Sequence, residues 1–528
     1  MTMAVAARTV QDTKSRPTDA LTPHARLVEA LRAMRPFGHP VLRVEMIETH
    51  ISTVLLAGDF AYKIKKPVDL GFVDFTTLEK RRQCCEGEVR LNRRTAPQLY
   101  LGVVPITGSI DCPVVDGEGA AIEYAVKMRR FASDATLDAL LREGVLPPDQ
   151  IDALAALVAV FHGSVPVAGL ASGYGAPEVI WEAALDNFRQ MRIRVDYPAT
   201  VEKLARLRAW TEAEFQRLVP TFERRRQHGF VRECHGDLHL GNVALIDGSP
   251  VPFDCIEFSD SLRWIDVINE AAFTMMDLLA HGERELAFRF LNRYLEERGD
   301  YEGVALLRFY LVYRALVRAK IASIQRQSAS LEGYLRLAET LVESARSGLV
   351  ITCGLSGSGK TTVARTLAGS LGAVHIRSDV ERKRLHGIAA QTRSTTAVDS
   401  GIYDAVSTAA TYERMAEIVR VLLSCGFPII VDATFLHRSQ RNAFRDLARR
   451  EGVRFVIVRC EAPLDVLRAR LINRVDDASD ATLAVLDRQL ESREGFSPAE
   501  AESAVVCETT DSAKSAVALA DVKARLAG

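Results

Sequence analysis

The stretch CHGDLHLGNV, at residues 234–243, holds two histidines, an aspartate and an asparagine. Three interpretations fit these residue types: a metal site on His235 and His239, a turn without chemistry, and a loop for phosphoryl transfer. A zinc site needs three or four ligands, and no other His/Cys pair with ligand spacing supports these two histidines. In phosphoryl transfer an aspartate can accept a hydroxyl proton while an asparagine five residues later binds Mg²⁺. Asp237 and Asn242 have that spacing, which favours the third interpretation.

A further oxygen ligand follows in PVPFDCIEF, where Asp254 is expected on a short apolar strand. Oxygen ligands on a loop and a neighbouring strand suit Mg²⁺, which prefers oxygen and keeps several waters. We therefore expect Asn242 and Asp254 to bind Mg²⁺ and Asp237 to act as the catalytic base.

A lysine-rich strand, FAYKIKK, precedes this loop by about 170 residues. Side chains alternate along a strand, so Lys63 and Lys65 point to one face and Lys66 to the other. The A-x-K pattern at Lys63 matches a lysine that contacts the α- and β-phosphates of ATP, with Glu88, or else Glu86, as its helix partner. An exposed strand lysine and a helix-surface charge are the alternative interpretations.

A second phosphate motif, GLSGSGKTT, fits G-x-x-x-x-G-K-[ST] and lies between an apolar strand and a helix. Glycines let backbone N–H groups turn toward phosphate, and the helix N-terminus adds its dipole. A glycine-rich turn that binds nothing is the alternative. The residues expected to hold the nucleotide are Gly354, Ser356, Gly357, Ser358, Gly359, Lys360, Thr361 and Thr362, with the Thr361 hydroxyl also on Mg²⁺.

Charged residues after the next strands suggest a hydroxyl acceptor near that motif. Asp379 is expected to take the acceptor's proton and Arg382 to hold the acceptor or the charge in flight. Asp432 ends an apolar strand, where a carboxylate would hold the Mg²⁺ shell. Arg470 and Arg474 lie one helical turn apart and are expected to close over the transferred phosphoryl group. A helix cap at Asp379 and a solvated face at the two arginines stay open.

The elements that must position these residues change character along the chain. Short β-branched runs fill about 38–128, helical periodicity fills about 134–345, and strands alternate with helices from 348, as in a parallel α/β sheet with crossover helices. We expect residues 1–25 to be a disordered tail, with a transit peptide as the alternative. No linker marks 344–348, so the halves could pack firmly or share a helix.

Length and composition set outer bounds. At 528 residues the chain is expected to form about three domains. A net charge of −1 argues against a polyanion-coating protein, although a local basic patch stays open. Nine scattered cysteines and the lack of an apolar run of roughly 18–20 residues indicate a cytoplasmic protein with reduced thiols and no membrane span.

Taken together, HGDLHLGN, the later aspartate and the early A-x-K resemble the aminoglycoside phosphotransferase family, a branch of the protein-kinase-like fold. The resemblance covers about residues 38–345. It implies an α+β two-lobed domain, with an ATP lobe at 26–130 and a helical catalytic lobe at 131–345. It also implies a base at Asp237, Mg²⁺ ligands at Asn242 and Asp254, a phosphate-binding lysine at Lys63, and a loop-shaping role for His235.

This sequence departs from the family at two points. No G-x-G-x-x-G precedes Lys63, so the turn ETHIS at 48–52 would have to cover the phosphates with Thr49, Ser52 and backbone groups. No acidic aminoglycoside-binding tail follows the catalytic part. The resemblance therefore implies a fold and a reaction, without an antibiotic as substrate.

The remainder, 348–528, resembles the small P-loop kinases: shikimate, gluconate and adenylylsulfate kinases and the kinase domain of polynucleotide kinase. The whole chain is similar to a bacterial group of bifunctional proteins that fuse the two domain types. This implies ATP and Mg²⁺ as cofactors and two modules, each transferring a γ-phosphoryl group to a small-molecule hydroxyl. An ATP-binding sensor or scaffold in one module, or a polynucleotide 5′-hydroxyl kinase in the second, stays open. The sequence names neither the acceptors nor the oligomeric state.

Overall fold

The computed structural model describes residues 22–71, 73–195, 197–343, 347–390, 392, 404–473 and 481–527. The chain divides into two compact units. The first unit comprises Met1–Leu154, Ser164–Val179 and Arg224–Thr274, and the second comprises Ala155–Gly163, Ile180–Glu223 and Met275–Gly528. Each unit contains one of the two motif sets found in the sequence.

A six-stranded antiparallel sheet forms one half of the first unit. Its strands are β1 (Val44–Glu48), β2 (Ser52–Ala57), β3 (Phe60–Lys65), β4 (Tyr100–Ser109), β5 (Cys112–Val115) and β6 (Glu123–Arg129), in the order β1-β2-β3-β6-β4-β5. The helices α1 (Pro23–Met34) and α2 (Leu78–Asn92) pack against this sheet. Strands β2 and β3 form a hairpin in which Val54 pairs with Lys63 and Ser52 with Lys65.

The start of α1 corrects the predicted tail at 1–25. Thr22 caps the helix through its side chain, which accepts a hydrogen bond from the Ala25 backbone N–H, and Pro23 occupies the first turn. Proline suits that position because its missing N–H would have no helical partner there. Pro23–Ala25 are therefore helical, and residues 1–21 lie outside the described residues.

Short strands and helices complete the first unit. They are α3 (Leu137–Arg142), β7 (Val231–Glu233), β8 (Val243–Ile246), β9 (Ser249–Pro252), α7 (Asp260–Arg263) and β10 (Trp264–Asp266). The helices α4 (Pro148–Ser164), α5 (Pro177–Arg192), α6 (Pro198–Gln227) and α8 (Val267–Ala280) contribute residues to both units. Val251 and Phe253 of the β8–β9 region pack with Val54, Cys85 and Val89, which draws the residues after β9 toward β3. Burial of each large apolar side chain stabilises this arrangement by about 1.5–3 kcal/mol.

A five-stranded parallel sheet forms the centre of the second unit, as the alternating pattern predicted. Its strands are β11 (Gly348–Cys353), β12 (Val374–Arg377), β13 (Ile429–Asp432), β14 (Arg454–Glu461) and β15 (Ala504–Glu508), in the order β12-β13-β11-β14-β15. Carboxyl ends of parallel strands meet at one edge of a sheet, which is where open α/β sheets bind ligands. The residues that follow β11 and β12 and the last residue of β13 therefore converge.

The remaining helices of the second unit come from two parts of the chain. Those within the predicted P-loop region are α12 (Lys360–Leu371), α13 (Ser378–Leu385), α14 (Ala405–Leu423), α15 (Arg438–Arg450), α16 (Leu464–Ile472), α17 (Leu483–Ser492), α18 (Pro498–Ser503) and α19 (Ser512–Ala527). Those that precede it are α9 (Arg284–Arg298), α10 (Val304–Ile324) and α11 (Ser328–Val342). Helix α9 packs directly against α12 and β12, so the second unit includes helices from before residue 348.

Candidate active sites

Strand β3 and helix α2 bring the predicted phosphate-binding lysine to its predicted partner. Lys63 Nζ donates to Glu88 Oε1 at 2.8 Å and to Asp254 Oδ1 at 2.6 Å, and all three side chains are buried. Glu86, the alternative partner, instead pairs with Arg82 on the surface. The structure thus joins three residues that are separated by up to 191 positions in the chain.

Electrostatics fix the charges of this group. Burial alone would raise the pKa of Glu88, but Lys63 and Lys65 outweigh it and hold that pKa at about 2. Burial alone would lower the pKa of Lys63, but the carboxylates of Asp254 and Glu88 raise it above its usual value. At neutral pH the cluster is therefore an assembly of full charges, which buried groups tolerate only when paired.

The catalytic-loop candidate at 234–243 is closed by its own side chains. Asn242 Nδ2 donates to the Asp237 backbone oxygen at 3.0 Å and to Asp237 Oδ2 at 3.1 Å. His235 Nε2 lies 2.9 Å from the Phe253 carbonyl oxygen, and burial lowers the pKa of His235, so a neutral imidazole donates this bond. The loop is thereby tied to the segment that carries Asp254.

The two histidines act on the backbone. His235 Nδ1 lies 3.4 Å from the Asp237 backbone N, and His239 Nδ1 accepts from the Gly241 backbone N–H at 3.1 Å. Gly236 has a φ of +89°, and a Cβ there would lie 2.8 Å from the Leu262 carbonyl oxygen. These contacts favour the loop-shaping interpretation over a zinc pair.

Asp254 departs from its predicted position on a strand. Strand β9 ends at Pro252, and Asp254 has a left-handed φ of +63°. Its backbone N–H donates to Tyr100 Oη at 3.1 Å. The prediction that Asp254 lies on a strand was therefore wrong. Its carboxylate nevertheless contacts Lys63, which is 191 residues away in the chain.

The turn between β1 and β2 has the predicted residues but closes on itself. The Ser52 backbone N–H donates to Thr49 Oγ1 at 2.9 Å, and the Thr49 backbone N–H donates to the Ser52 carbonyl oxygen at 2.9 Å. Ser52 is fully buried, and its Oγ has no hydrogen-bond partner among the described residues. That orphaned hydroxyl, and the equally unpartnered buried Oδ1 of Asn242, are oxygens suited to a ligand or a Mg²⁺ ion.

The glycine-rich loop of the second unit has the conformation that its motif requires. Gly354, Gly357 and Gly359 have φ values of +148°, +83° and +84°. A Cβ on Gly354 would lie 2.5 Å from the Cys460 carbonyl oxygen, so a side chain there would clash with β14. Lys360 Nζ donates to the Leu355 carbonyl oxygen at 2.8 Å, folding back over the loop.

Asp432 joins three strands and the start of α12. Its Oδ2 accepts from Thr361 Oγ1 at 2.7 Å and its Oδ1 accepts from Thr352 Oγ1 at 3.2 Å, while His375 Nε2 lies 3.5 Å from Oδ2. Burial alone would raise the pKa of Asp432, but a hydrogen bond from His375 and the charges of Arg377 and Lys360 outweigh it and hold that pKa well below its usual range. A carboxylate beside the loop threonine is a donor set that fits Mg²⁺.

One cleft of about 1040 Å³ contains most of the predicted residues of the second unit. Asp379 lies in the first turn of α13, whose cap position is Arg377, so the helix-cap alternative does not describe it. Arg382 donates to Thr408 Oγ1 at 3.1 Å. The residues that line this cleft include Ser356, Gly357, Gly359, Lys360, Thr361, Thr362, Asp379, Arg382, Asp432 and Arg470.

Of the two arginines predicted to close over the phosphoryl group, the structure describes Arg470. Arg470 Nη1 donates to the Gly357 carbonyl oxygen at 3.2 Å and to Thr509 Oγ1 at 2.9 Å, so it contacts the glycine-rich loop instead of forming a solvated face. Arg474 lies outside the described residues.

Several residues of these sites carried no sequence signal. Glu270 accepts from the Gly236 backbone N–H at 2.6 Å and supports the catalytic loop from α8. Glu257 binds Lys65, and His375 lies beside Asp432. None belongs to a spaced motif; only the alternation along β3, which puts Lys65 on the face of Lys63, pointed to part of this set.

Comparison with known proteins finds one family model and several relatives that match this chain. Residues 349–496 match the family model described as an AAA domain. The chain is 32% identical over 457 residues to the uncharacterized protein Rv2004c of Mycobacterium tuberculosis, covering 85% of this chain and 90% of the relative.

Two solved structures are each similar to part of the chain. An aminoglycoside 2′-phosphotransferase in complex with GDP is 16% identical, with a TM-score of 0.37, over 60% of this chain and 97% of that one. A gluconokinase from Sinorhizobium meliloti is 24% identical, with a TM-score of 0.24, over 34% of this chain and 95% of that one. No helix among the described residues is long and apolar enough to cross a membrane. The chain belongs to the family of the M. tuberculosis protein, and its residues 349–496, which include the glycine-rich motif, match an AAA domain.

Proposed function

We propose that the protein is an ATP- and Mg²⁺-dependent phosphotransferase with two nucleotide-binding modules, each transferring the γ-phosphoryl group to a small-molecule hydroxyl. The observation that carries this proposal is the same in both units. A lysine and oxygen ligands suited to Mg²⁺ lie together: Lys63 with Asp254 in the first unit, and Lys360 and Thr361 with Asp432 in the second.

In the first module, the Asp237 carboxylate accepts the proton of the acceptor hydroxyl. The acceptor oxygen forms a bond to the γ-phosphorus as the bond to the β–γ bridging oxygen breaks, and ADP leaves. Lys63 holds the α- and β-phosphates, and Asn242 and Asp254 would hold Mg²⁺, which neutralises charge on the phosphates. The hydrogen bonds from Asn242 to Asp237 keep the base and the metal ligand in register.

In the second module, Asp379 accepts the hydroxyl proton and Arg382 and Arg470 hold the charge that develops on the phosphoryl group. Lys360 and the backbone N–H groups of the glycine-rich loop hold the β- and γ-phosphates. Thr361 and Asp432 would hold Mg²⁺. Catalysis of this kind consists of positioning and charge stabilisation.

A phosphate-transfer screen tests the proposal. Pooled metabolites are incubated with ATP labelled at the γ-phosphate and with wild type, Asp237→Ala or Lys360→Ala protein. We expect two classes of labelled product, one lost only with Asp237→Ala and the other only with Lys360→Ala. Labelled products that persist in both variants, or ATP turnover with no labelled product from any pool, would contradict it.

One observation favours a second candidate for the first unit, an ATP-binding sensor that regulates the other module. The cavity beside Lys63 is only about 20 Å³ in this structure, so nucleotide entry requires a rearrangement. Saturable MgATP binding by the first unit without any labelled product would support the sensor over the enzyme.

A further inference from the structure

A second lysine of the first unit is more deeply buried than the predicted one. Lys65 is completely buried, and its Nζ pairs with Glu88 Oε2 and with Glu257 Oε1. Glu88 therefore uses one carboxylate oxygen for each lysine. Adding Lys63 and Asp254, the cluster has two cations and three anions, a net charge of −1.

Lys65 lies beneath the turn that would cover the phosphates. It is the register partner of Ser52, the first residue of β2. The next residue, Lys66, donates from its backbone N–H to the Ile51 carbonyl oxygen and from Nζ to the Thr49 carbonyl oxygen, both at 2.8 Å. Lys63 is the register partner of Val54, two residues farther along β2. Lys65 therefore lies nearer to the turn between β1 and β2 than Lys63 does.

Little space is left between the turn and Lys63, and carboxylates of the chain itself, including the Lys65 partner Glu257, line it. Thr49, Ser52, Lys63, Asp254 and Glu257 line a cavity of about 20 Å³. That volume holds about one water molecule. The unpartnered hydroxyl of Ser52 lies in this lining, a buried polar group without a protein partner. A triphosphate can reach the lysines only if a carboxylate leaves them.

We propose that Lys65 is a second phosphate-binding lysine of the first module and that Glu257 occupies its phosphate position in this closed arrangement. MgATP would displace Glu257, so that Lys65 and the Ser52 hydroxyl bind a phosphate oxygen while Asp254 remains to bind Mg²⁺. Two lysines then supply the contacts that a G-x-G-x-x-G turn would otherwise make with its backbone. The proposal rests on the proposed function of the first module.

Chemistry supports the exchange of one anion for another. A lysine ammonium binds carboxylate and phosphate oxygens alike, as a compact charge with three donors. Glu257 is held by one lysine and by the Cys84 thiol at 3.3 Å, whereas Glu88 is held by two lysines, so Glu257 is the carboxylate that is easier to release. A purely structural role for Lys65 would instead make Glu257 a stabilising partner whose loss could only weaken the site.

Calorimetric titration with the magnesium complex of the β,γ-imido analogue of ATP separates these roles. The Lys360→Ala background removes the second site from the titration. We expect Glu257→Gln to bind the analogue about tenfold more tightly than its parent, because the competing charge is gone. The double variant Lys65→Met with Glu257→Gln, which leaves no new unpaired charge from that pair, should bind at least tenfold more weakly than Glu257→Gln. Glu86→Gln, an exposed neighbour on α2, should bind as the parent does.

The outcomes are distinct. Unchanged or weaker binding by a folded Glu257→Gln variant, or equal binding by Glu257→Gln and the double variant, would overturn the inference while leaving nucleotide binding by the first module intact. A parent and a full set of variants that retain their thermal transitions but bind no analogue would overturn both the inference and the proposed function of the first module.

Discussion

Asp237 combines burial with a hydrogen bond from the residue proposed to hold the metal. Asn242 donates one hydrogen bond to the Asp237 carboxylate, at Oδ2, and one to its backbone carbonyl oxygen, and His239 Nε2 lies 3.7 Å from Oδ2. In the proposed mechanism, a carboxylate so held would meet the acceptor hydroxyl with little further loss of side-chain freedom. The sensor and enzyme interpretations therefore differ most at this residue.

Replacement of Asp237 by alanine should separate chemistry from binding. A positioned general base contributes about 10²–10⁴ in rate, so we expect turnover of the first-module acceptor to fall by about that factor. MgATP affinity should change little, because nucleotide contacts are assigned to Lys63, Thr49 and Ser52. Steady-state kinetics and calorimetry measure both quantities. Asp134→Ala, an exposed aspartate, is the matched control, and full turnover by Asp237→Ala would rule out this base.

The ionisation of Glu88 makes the stability of the first unit depend on pH. Its folded pKa of about 2 lies below the usual 4.5, so its ionised form stabilises the fold above pH 4.5 and that stabilisation is lost as the pH falls toward 2. Glu88→Gln leaves Lys63 and Lys65 short of a partner and should lower the free energy of unfolding at pH 7 by roughly 3–5 kcal/mol. The difference from wild type should shrink near pH 3. Urea titrations at both pH values measure it, with Glu86→Gln as the control; a difference independent of pH would argue against the ionised cluster.

At the residue scale, spacing along the chain predicted which side chains lie close together. It did not predict the backbone conformations that place them there. The pairing of Lys63 with Glu88 followed from strand alternation and an A-x-K pattern. The left-handed conformation of Asp254 had no such signal, because aspartate tolerates that region without requiring it. Glu257 and Glu270 act through contacts set by the fold, which a single sequence does not encode at any fixed spacing.

Helix α9 supports the edge of the sheet in the second unit. Asn292 Nδ2 donates to the Ala373 carbonyl oxygen at 3.0 Å, and its Oδ1 accepts from the His375 backbone N–H at 2.8 Å. An edge strand presents unpaired backbone groups of this kind, and covering them is one way that proteins protect it. The covered strand, β12, leads directly to Asp379 and Arg382.

Loss of the Asn292 amide should loosen that strand. Asn292→Ala leaves a buried N–H and a buried carbonyl without partners, at about 1–3 kcal/mol each. We expect the free energy of unfolding to fall by about 2–4 kcal/mol and amide exchange in β12 to accelerate. Asn187→Ala is the matched control, since the Asn187 amide is also buried but has no hydrogen-bond partner among the described residues. Equal losses in the two variants would show that Asn292 acts by filling space alone.

Element-scale prediction succeeded where one periodicity ran without interruption. The parallel sheet was predicted from alternating strands and helices, and the structure has it. No linker marked a boundary near 344–348, and in the second unit α9 packs against β12 of the parallel sheet. A helix that packs on a neighbouring domain has the same apolar spacing as a helix that packs on its own domain. Periodicity alone therefore does not show to which domain a helix such as α9 belongs.

For the whole molecule, the central claim is that one chain holds two independent nucleotide sites, each with its own lysine. The motifs of the two sites share no strand or loop, and each lies inside one unit. In this proposal the first unit, which lies wholly before the glycine-rich loop, has a nucleotide site of its own. Removing either lysine should silence one site and leave the other.

Equilibrium titration of the full chain with MgATP tests this claim most directly. We predict two molecules bound per chain in wild type, one in Lys360→Ala and one in Lys63→Met, with the site that remains keeping its wild-type affinity. Exposed Lys514→Met, a surface lysine paired with Glu508, should bind two. A single bound nucleotide in wild type, or two in Lys360→Ala, would contradict the account.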